Sequence, residues 1–487
     1  MKRFALLAVL LFSGGCSVSR YAMQDEIREA LYRSETAEAL KIAESDDFYT
    51  DDESILLRHL ELGNLHYLNG SYYQALKHFD AARLKSKELY TRSLSNTAAS
   101  AVAGSWDDYA GEAYELSLLR FYQSLCHYHL YLNGRYEAFT DRETGNAVPE
   151  KILTEKEKRM HLMAARAVVV DWDALLKEFQ SQKAGEVLFK QDLAAKLWGG
   201  FIHEENGSSE DRQISRQLYK DAGTVLFRNY NLYPAYNLKY RDFAGQFPSL
   251  HEKNEKEIES ELISATPKSK ALKTYAKTAL KNMNSNKKPN VFIVLKTGRI
   301  ARKKAERVSF PVPLAVSDKS FANMISSGLL SFELPAFDDK EQNADVKIAF
   351  VKPDGGKTVA EKTPALLDPV SQIAVRDLNT ARPAVYAAKA ARLTVKYIAA
   401  LAAARAIYEK HGAGWAQLTF ATSLLLIEAS EQADLRYWST LPESIWMQSF
   451  RLPAGDYEMR VSVNGDALHS QKITVPAKGV VFKDLNL

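Results

Sequence analysis

Glu112 and Glu115, in the stretch WDDYAGEAYE at 106–115, stand one helical turn apart, so both carboxylates can meet one ligand. Trp106, Asp107, Asp108 and Tyr109 beside them would complete an aromatic–acidic patch for a ligand or partner. The same acids also suit the first turn of a helix, where the backbone dipole favours negative charge. His127 and His129 flank Tyr128 next to Cys126. A spacing of two puts side chains on different helix faces, so packing is expected there rather than a shared metal. His203-Glu204-Glu205 meets the same objection. The chain has no Gly-rich phosphate loop, no HExxH, no paired CxxC and no nucleophile elbow. The expectation is a protein without catalytic residues, metal or cofactor.

One thiol has a chemistry of its own. Lys2 and Arg3, the apolar run Phe4 to Phe12, and Ser13-Gly14-Gly15 have the order of a secretory signal peptide, and the run is too short to span a bilayer. Cys16 follows at once, which resembles the lipobox of bacterial lipoproteins. The resemblance implies a diacylated Cys16 as the new N-terminus, and attachment to a membrane through that lipid. Ser17 resembles the outer-membrane-directed class. Cys126 is the one other cysteine, so no disulfide is expected.

Such residues need a frame. With 487 residues, 46% hydrophobic and 25% charged, the chain can bury a sizeable core and fits two to three domains. A net charge of +4 is too mild for a nucleic-acid binder. Residues 22–44 read as a first helix, followed by an acidic connector at 46–53. Leu62-Gly63, Tyr67, Gly70, Tyr72, Ala75, Phe79 and Ala82 resemble a tetratricopeptide unit. Small residues would sit where two helices approach, and large ones in the groove. YLNGSY at 67–72 is echoed by YLNGRY at 131–136, and a weaker copy runs from Leu197-Trp198-Gly199 to Tyr219 and Ala222.

The organisation expected is a signal peptide at 1–15, a tetratricopeptide-like helical domain at 16–260, a basic linker at 261–290 and a β-sandwich-like domain at 291–487. From Leu262 to Ala305 there are twelve basic residues and no acidic one. The runs at 291–298, 308–315, 329–337 and 346–356 are short, β-branched or aromatic, and bounded by Gly, Pro or Asp. The C-terminal stretch adds four more, with Asn464-Gly465 as a hairpin turn. A helical insertion at 366–432 is alanine-rich, with Pro383 expected to break its first helix and Gly412–Gly414 separating the second. Its small residues allow close packing on the sandwich or on a partner subunit. Arg299, Arg302, Lys303, Lys304 and Arg307 form a basic cluster near a strand-to-strand loop, read as a solvated loop before a headgroup site. The fold class is α+β: a helical hairpin array followed by a small β-sandwich with an inserted helical hairpin.

DDYAGEAYE (107–115), leading into the YLNGRY helix, and ADLRYWSTLP (433–442), followed by LPAGDYEMRV (452–461), resemble an uncharacterised family of Gram-negative bacterial lipoproteins. The resemblance implies a lipid-anchored, periplasm-facing protein of unassigned activity, which Ser17 would direct to the outer membrane. It implies no catalytic residue. In physical terms ADLRYWSTLP is a junction: Asp434 and Arg436 pair or cap a helix end, and Trp438 packs where helix meets sandwich. The leading expectation is a scaffold or adaptor that binds a protein partner through the concave face of its helical array. The alternative is a regulator or assembly factor of cell-wall synthesis or of an envelope secretion machine.

Overall fold

A computed structural model describes residues 15–95, 108–141, 144–181, 188–229, 232–233, 235–236, 289–311, 329–338, 344–353 and 356–487. Residues 1–14 of the expected signal peptide, Trp106 and Asp107 of the patch, and 261–288 of the expected linker lie outside the described residues. The architecture is α+β, as the patterning implies.

The expected first helix is two. Helix α1 (Gly15–Tyr32) ends and α2 (Thr36–Ala43) begins across Ser34, whose φ of 61° is left-handed. The N–H of Glu35 returns to the carbonyl of Ala30 and closes the turn. Helices α3 (Ile55–Leu68) and α4 (Tyr72–Ser95) form a hairpin over Gly70, at φ 76°. Gly63 lies at their contact, where a Cβ would stand 2.5 Å from the ring of Phe79. At this contact a small residue stands against a large one.

Helix α5 (Ala113–Asn133) stops at Gly134, at φ 64°. No second helix follows directly. Two short antiparallel ladders intervene, Arg135–Tyr136 with Lys151–Ile152 and Phe139–Thr140 with Ala147–Val148. Only then does α6 (Glu155–Ser181) run back along α5. Helices α7 (Leu193–Asn206) and α8 (Ser209–Asn229) make the third hairpin, with Gly200 beneath the ring of Tyr219.

Among the described residues the β half holds ten strands: β1 (Val291–Thr297), β2 (Lys303–Pro311), β3 (Leu329–Phe337), β4 (Val346–Val351), β5 (Thr358–Lys362), β6 (Ala365–Asp368), β7 (Ser444–Phe450), β8 (Gly455–Val463), β9 (Asp466–Val475) and β10 (Val481–Asn486). Two four-stranded sheets form, in the orders β6-β7-β1-β10 and β9-β8-β4-β5. All pairs are antiparallel except β10 with β1. The predicted Asn464-Gly465 turn joins β8 to β9 with φ 55° and 92°. Strands β1 and β7 are buried at every position, because both faces of their sheet are covered. On one face Phe450 meets Phe350 of the second sheet, with ring centroids 4.8 Å apart. On the other Phe292 meets Phe201 of α7 at 4.6 Å. The result is three layers: helices, sheet, sheet. One cluster of buried side chains runs through them from Ile27 to Leu485.

The inserted helices form an arm. Helix α9 (Val370–His411) is a single helix of 42 residues, and Pro383 does not break it. Pro383 is exposed, so the missing N–H faces water, and Val385, Tyr386 and Lys389 hold the following turns by packing. Residues 366–368, expected within the insertion, belong to β6. Helix α10 (Ala413–Ala429) returns along α9. The paired strands β2 and β3 lie against both, and Leu330, Phe332, Leu393, Tyr397, Phe420 and Ile427 make a second, smaller core.

Candidate functional site

Glu112 and Glu115 do not converge on a ligand. Glu112 is exposed and precedes α5, while Glu115 is fully buried in its first turn. Glu115 Oε2 accepts the backbone N–H of Glu112 at 2.9 Å and the hydroxyl of Tyr109 at 2.5 Å. Its Oε1 accepts the N–H of Trp438 at 2.8 Å. Tyr109 is buried and Asp108 is exposed. The patch is therefore a helix start turned inward to hold another segment. Burial, with Glu112 nearby, pushes the Glu115 carboxyl up to about 7, against the pull of its hydrogen bonds.

That other segment is 433–442. Glu61 of α3, fully buried, accepts the N–H and the hydroxyl of Ser439 at 2.7 and 2.8 Å, and the N–H of Thr440 at 3.2 Å. Asn64 donates to the carbonyl of Thr440 at 2.8 Å. Arg28 of α1 donates to the carbonyls of Ser439 and Ile300, and Gln24 to that of Tyr437. Asp434 and Arg436 form a two-pronged ion pair. Trp438 is fully buried against Phe79 and Tyr122. Side chains that an open array would offer to a partner here clasp the chain's own backbone.

A second buried network ties the helices to the first sheet. Lys296 of β1 and Asp484 of β10 form an ion pair, and Lys296 Nζ also donates to the hydroxyl of Tyr67 at 2.7 Å. His129 Nε2 lies 2.9 Å from Asp484, and Tyr67 donates to the same carboxylate. Burial alone would raise the Asp484 pKa, but Lys296 and His129 outweigh it and hold the carboxyl below the usual range. Burial lowers the Lys296 pKa, partly offset by Asp484. Lysine, tyrosine, histidine and aspartate are a set suited to proton transfer. Here they satisfy one another, with Lys296 only 1% exposed, so the set is an internal tie.

A third cluster pairs two acids. Asp192 caps α7 through the N–H of Ala195 and accepts the hydroxyl of Ser117 at 2.5 Å. Asp368, at the end of β6, is buried beside it, and burial together with Asp192 drives its pKa well up. Two carboxyls buried side by side disfavour ionisation of both.

His127 contacts His161 of α6 at 3.0 Å and His129 contacts Asp484, so the two face apart as their spacing implies. Cys126 is buried and unbonded, and burial raises its thiol pKa, which makes it inert. The basic cluster is largely paired: Arg302 with Asp25, Lys304 with Asp338 and Arg307 with Glu428. Cys16 lies in the first turn of α1. Among the described residues no group of three or more His, Cys, Asp or Glu is placed to hold a metal ion, and no helix is long and apolar enough to cross a membrane.

Sequence reasoning missed Glu61, the Lys296–Asp484 pair and the Asp192–Asp368 pair. A lysine inside the apolar run VFIVLKT is a signal for the second, since a cation in a buried strand needs a partner. Nothing local marks the other two.

The arm has an open apolar face. Trp415, Leu418, Leu425 and Leu426 of α10 and Val395 and Ile398 of α9 are 48–70% exposed. The stripe between them on α9 is Ala391, Ala399, Ala402 and Ala403, also exposed. No protein-family model, no curated protein and no solved structure matches the chain.

Proposed function

We propose that this is a lipid-anchored envelope protein, held at the outer membrane through Cys16 and facing the periplasm, that serves as a scaffold or adaptor for a protein partner. The observation that carries the adaptor reading is the uncharged stripe of the α9–α10 arm. A helix apolar all round is ordinarily buried. Helix α10 carries one charged residue, Glu428, and that one is tied to Arg307. Its inner side chains Ala416, Phe420 and Ile427 are covered, while its outer ones are not.

The occupant that fits is an apolar helix of another protein. Alanines alternating with Val395, Ile398, Leu418 and Leu425 give the holes and knobs a helix needs. A membrane-surface helix would carry lysine and arginine along the rim of its apolar face. On α9 and α10 the exposed basic residues are Arg376 near the base and Arg405, Lys410 and His411 toward the tip, and Arg405 is paired with Glu409. The clasped segment supports the same choice, because it occupies the buried polar groups of α3 and α5 that the array would otherwise present.

The test places a photo-crosslinking residue at Trp415 or Leu425 in the full chain, in intact envelopes, with a fatty-acid label at Cys16. A discrete heterologous protein should be captured. The same protein, purified, should bind the wild type and not the Leu418→Asp/Leu425→Asp variant. Crosslinks to lipid alone, or only to a second copy of the chain, would overturn the adaptor reading. Absence of label in the wild type would overturn the anchor.

A further inference from the structure

The two copies of the echoed motif come together in space. YLNGSY (67–72) ends α3 and YLNGRY (131–136) ends α5, and both ends line one cleft of about 410 Å³. Asn69 of the first copy is spent on the fold. Its amide donates to the carbonyls of Thr36 and Leu65, and its oxygen accepts the hydroxyl of Thr36. Asn133 holds the same place in the second copy, is exposed, and makes no hydrogen bond among the described residues. Gln74, Arg135 and Glu137 of the lining likewise have no hydrogen bond or ion pair among the described residues. Gln74 is half-buried, and Arg135 and Glu137 are exposed, so these polar ends stand open to a ligand. Beside them Tyr73 and Tyr136 stack, with ring centroids 4.1 Å apart and 11° between planes, and Phe139 lies 6.1 Å from Tyr73. All three rings are half-buried and line the cleft. Gln74 and Phe139 also line a second cavity of about 210 Å³, beside Lys77 and Thr140, so the two join as one groove.

We propose that this groove binds a short neutral oligosaccharide. A pyranose carries C–H groups on its faces, which suit an aromatic ring, and a rim of hydroxyls that each donate and accept. Two amides, a guanidinium and a carboxylate offer donors and acceptors side by side, as such a rim needs. The positive charge of Arg135 and the negative charge of Glu137 offset one another. An anion would meet Glu137 as well as Arg135, and a wholly apolar ligand would strip water from all four groups without replacing it. The two joined cavities suit a chain of sugars over a single one. The groove is separate from Cys16 and from the arm, so its test does not depend on an anchor or a protein partner.

Saturation-transfer NMR titration of the full chain with chitotetraose, cellotetraose, the monosaccharide of each, and tetra-alanine tests the assignment. At least one tetrasaccharide should bind, and which one distinguishes an N-acetylated from a plain hexose as the source. Its monosaccharide and tetra-alanine should bind more weakly by about tenfold or more. Tyr136→Ala should weaken the tetrasaccharide by about tenfold. The double variant Gln74→Ala/Asn133→Ala removes no hydrogen bond among the described residues and should weaken it by about fivefold or more. It remains informative if Tyr136→Ala disturbs the ladder at 135–136; circular dichroism checks both. No tetrasaccharide binding at millimolar concentration, equal binding of the monosaccharide or of tetra-alanine, or unchanged binding in a folded variant would each overturn the proposal.

Discussion

A buried carboxylate that accepts three hydrogen bonds is costly to remove. Replacing Glu61 with alanine leaves the Ser439 N–H, the Ser439 hydroxyl and the Thr440 N–H without an acceptor. The expected loss is about 3–5 kcal/mol in urea unfolding, with Glu61→Gln losing less because one oxygen remains. A loss below about 1 kcal/mol would show that the carboxylate does not hold the segment. Glu115 gives a pH signature. A carboxyl whose folded pKa is raised stabilises the fold below its ordinary value near 4.5, and that stability is lost as pH rises through about 7. Asp377, half-buried and pushed by burial and Glu112 up to about 8, adds the same sign. Stability should therefore fall between about pH 5 and pH 8, by up to about 3 kcal/mol from Glu115 alone. Glu115→Gln should flatten the part below pH 7 in denaturant titrations at each pH. At this scale the sequence was legible where partners are local. The acids at 112–115 read as a helix start, and Trp438 read as a junction residue. Glu61 was not, because its partners lie 378 residues away and its own helix looks like any other.

Elements explain why the arm can be a separate unit. Its core is one hairpin, β2–β3, and two helices, distinct from the main cluster. Phe420→Ala removes a buried ring packed edge-on against Tyr397. The expected cost is about 3 kcal/mol, felt as lost amide-exchange protection in α9 after Pro383 and in α10. Protection in α3 to α8 should not change; a uniform loss would show that the arm folds with the body. The helix period, the β-branched runs and the Asn464-Gly465 turn were readable because each is a local pattern. Two readings failed for reasons visible in the contacts. Proline was expected to break α9, but one missing bond facing water is outweighed by packing on both sides. The YLNGRY echo reads as a divergent second unit of the hairpin array. Its glycine does end α5, yet the chain then spends residues 135–152 on short ladders.

The molecule as a whole is less divided than its sequence. Composition changes sharply near residue 290, which suggested a helical domain joined to a β domain. The buried cluster instead crosses that line, through Phe201 on Phe292, Tyr67 on Lys296 and Glu61 on Ser439. Residues 15–236 alone should show no cooperative thermal transition and should bind a hydrophobic dye, since their inner face would lie open. A sharp independent melt by circular dichroism would show two domains after all. Inter-half contacts are invisible in one sequence, because pairing between distant residues leaves no local period. The position of β10 has a consequence in time. It is the last strand, and it lies parallel to β1, with Asp484 reaching Lys296 across 188 residues. At synthesis rates of about 5–20 residues per second, Lys296 waits on the order of 10–40 s for its counter-ion. Until then Lys296, at the end of β1, has a buried position and no carboxylate partner. The pair thus forms late in synthesis, and a chain lacking residues 481–487 leaves Lys296 without the carboxylate that neutralises it.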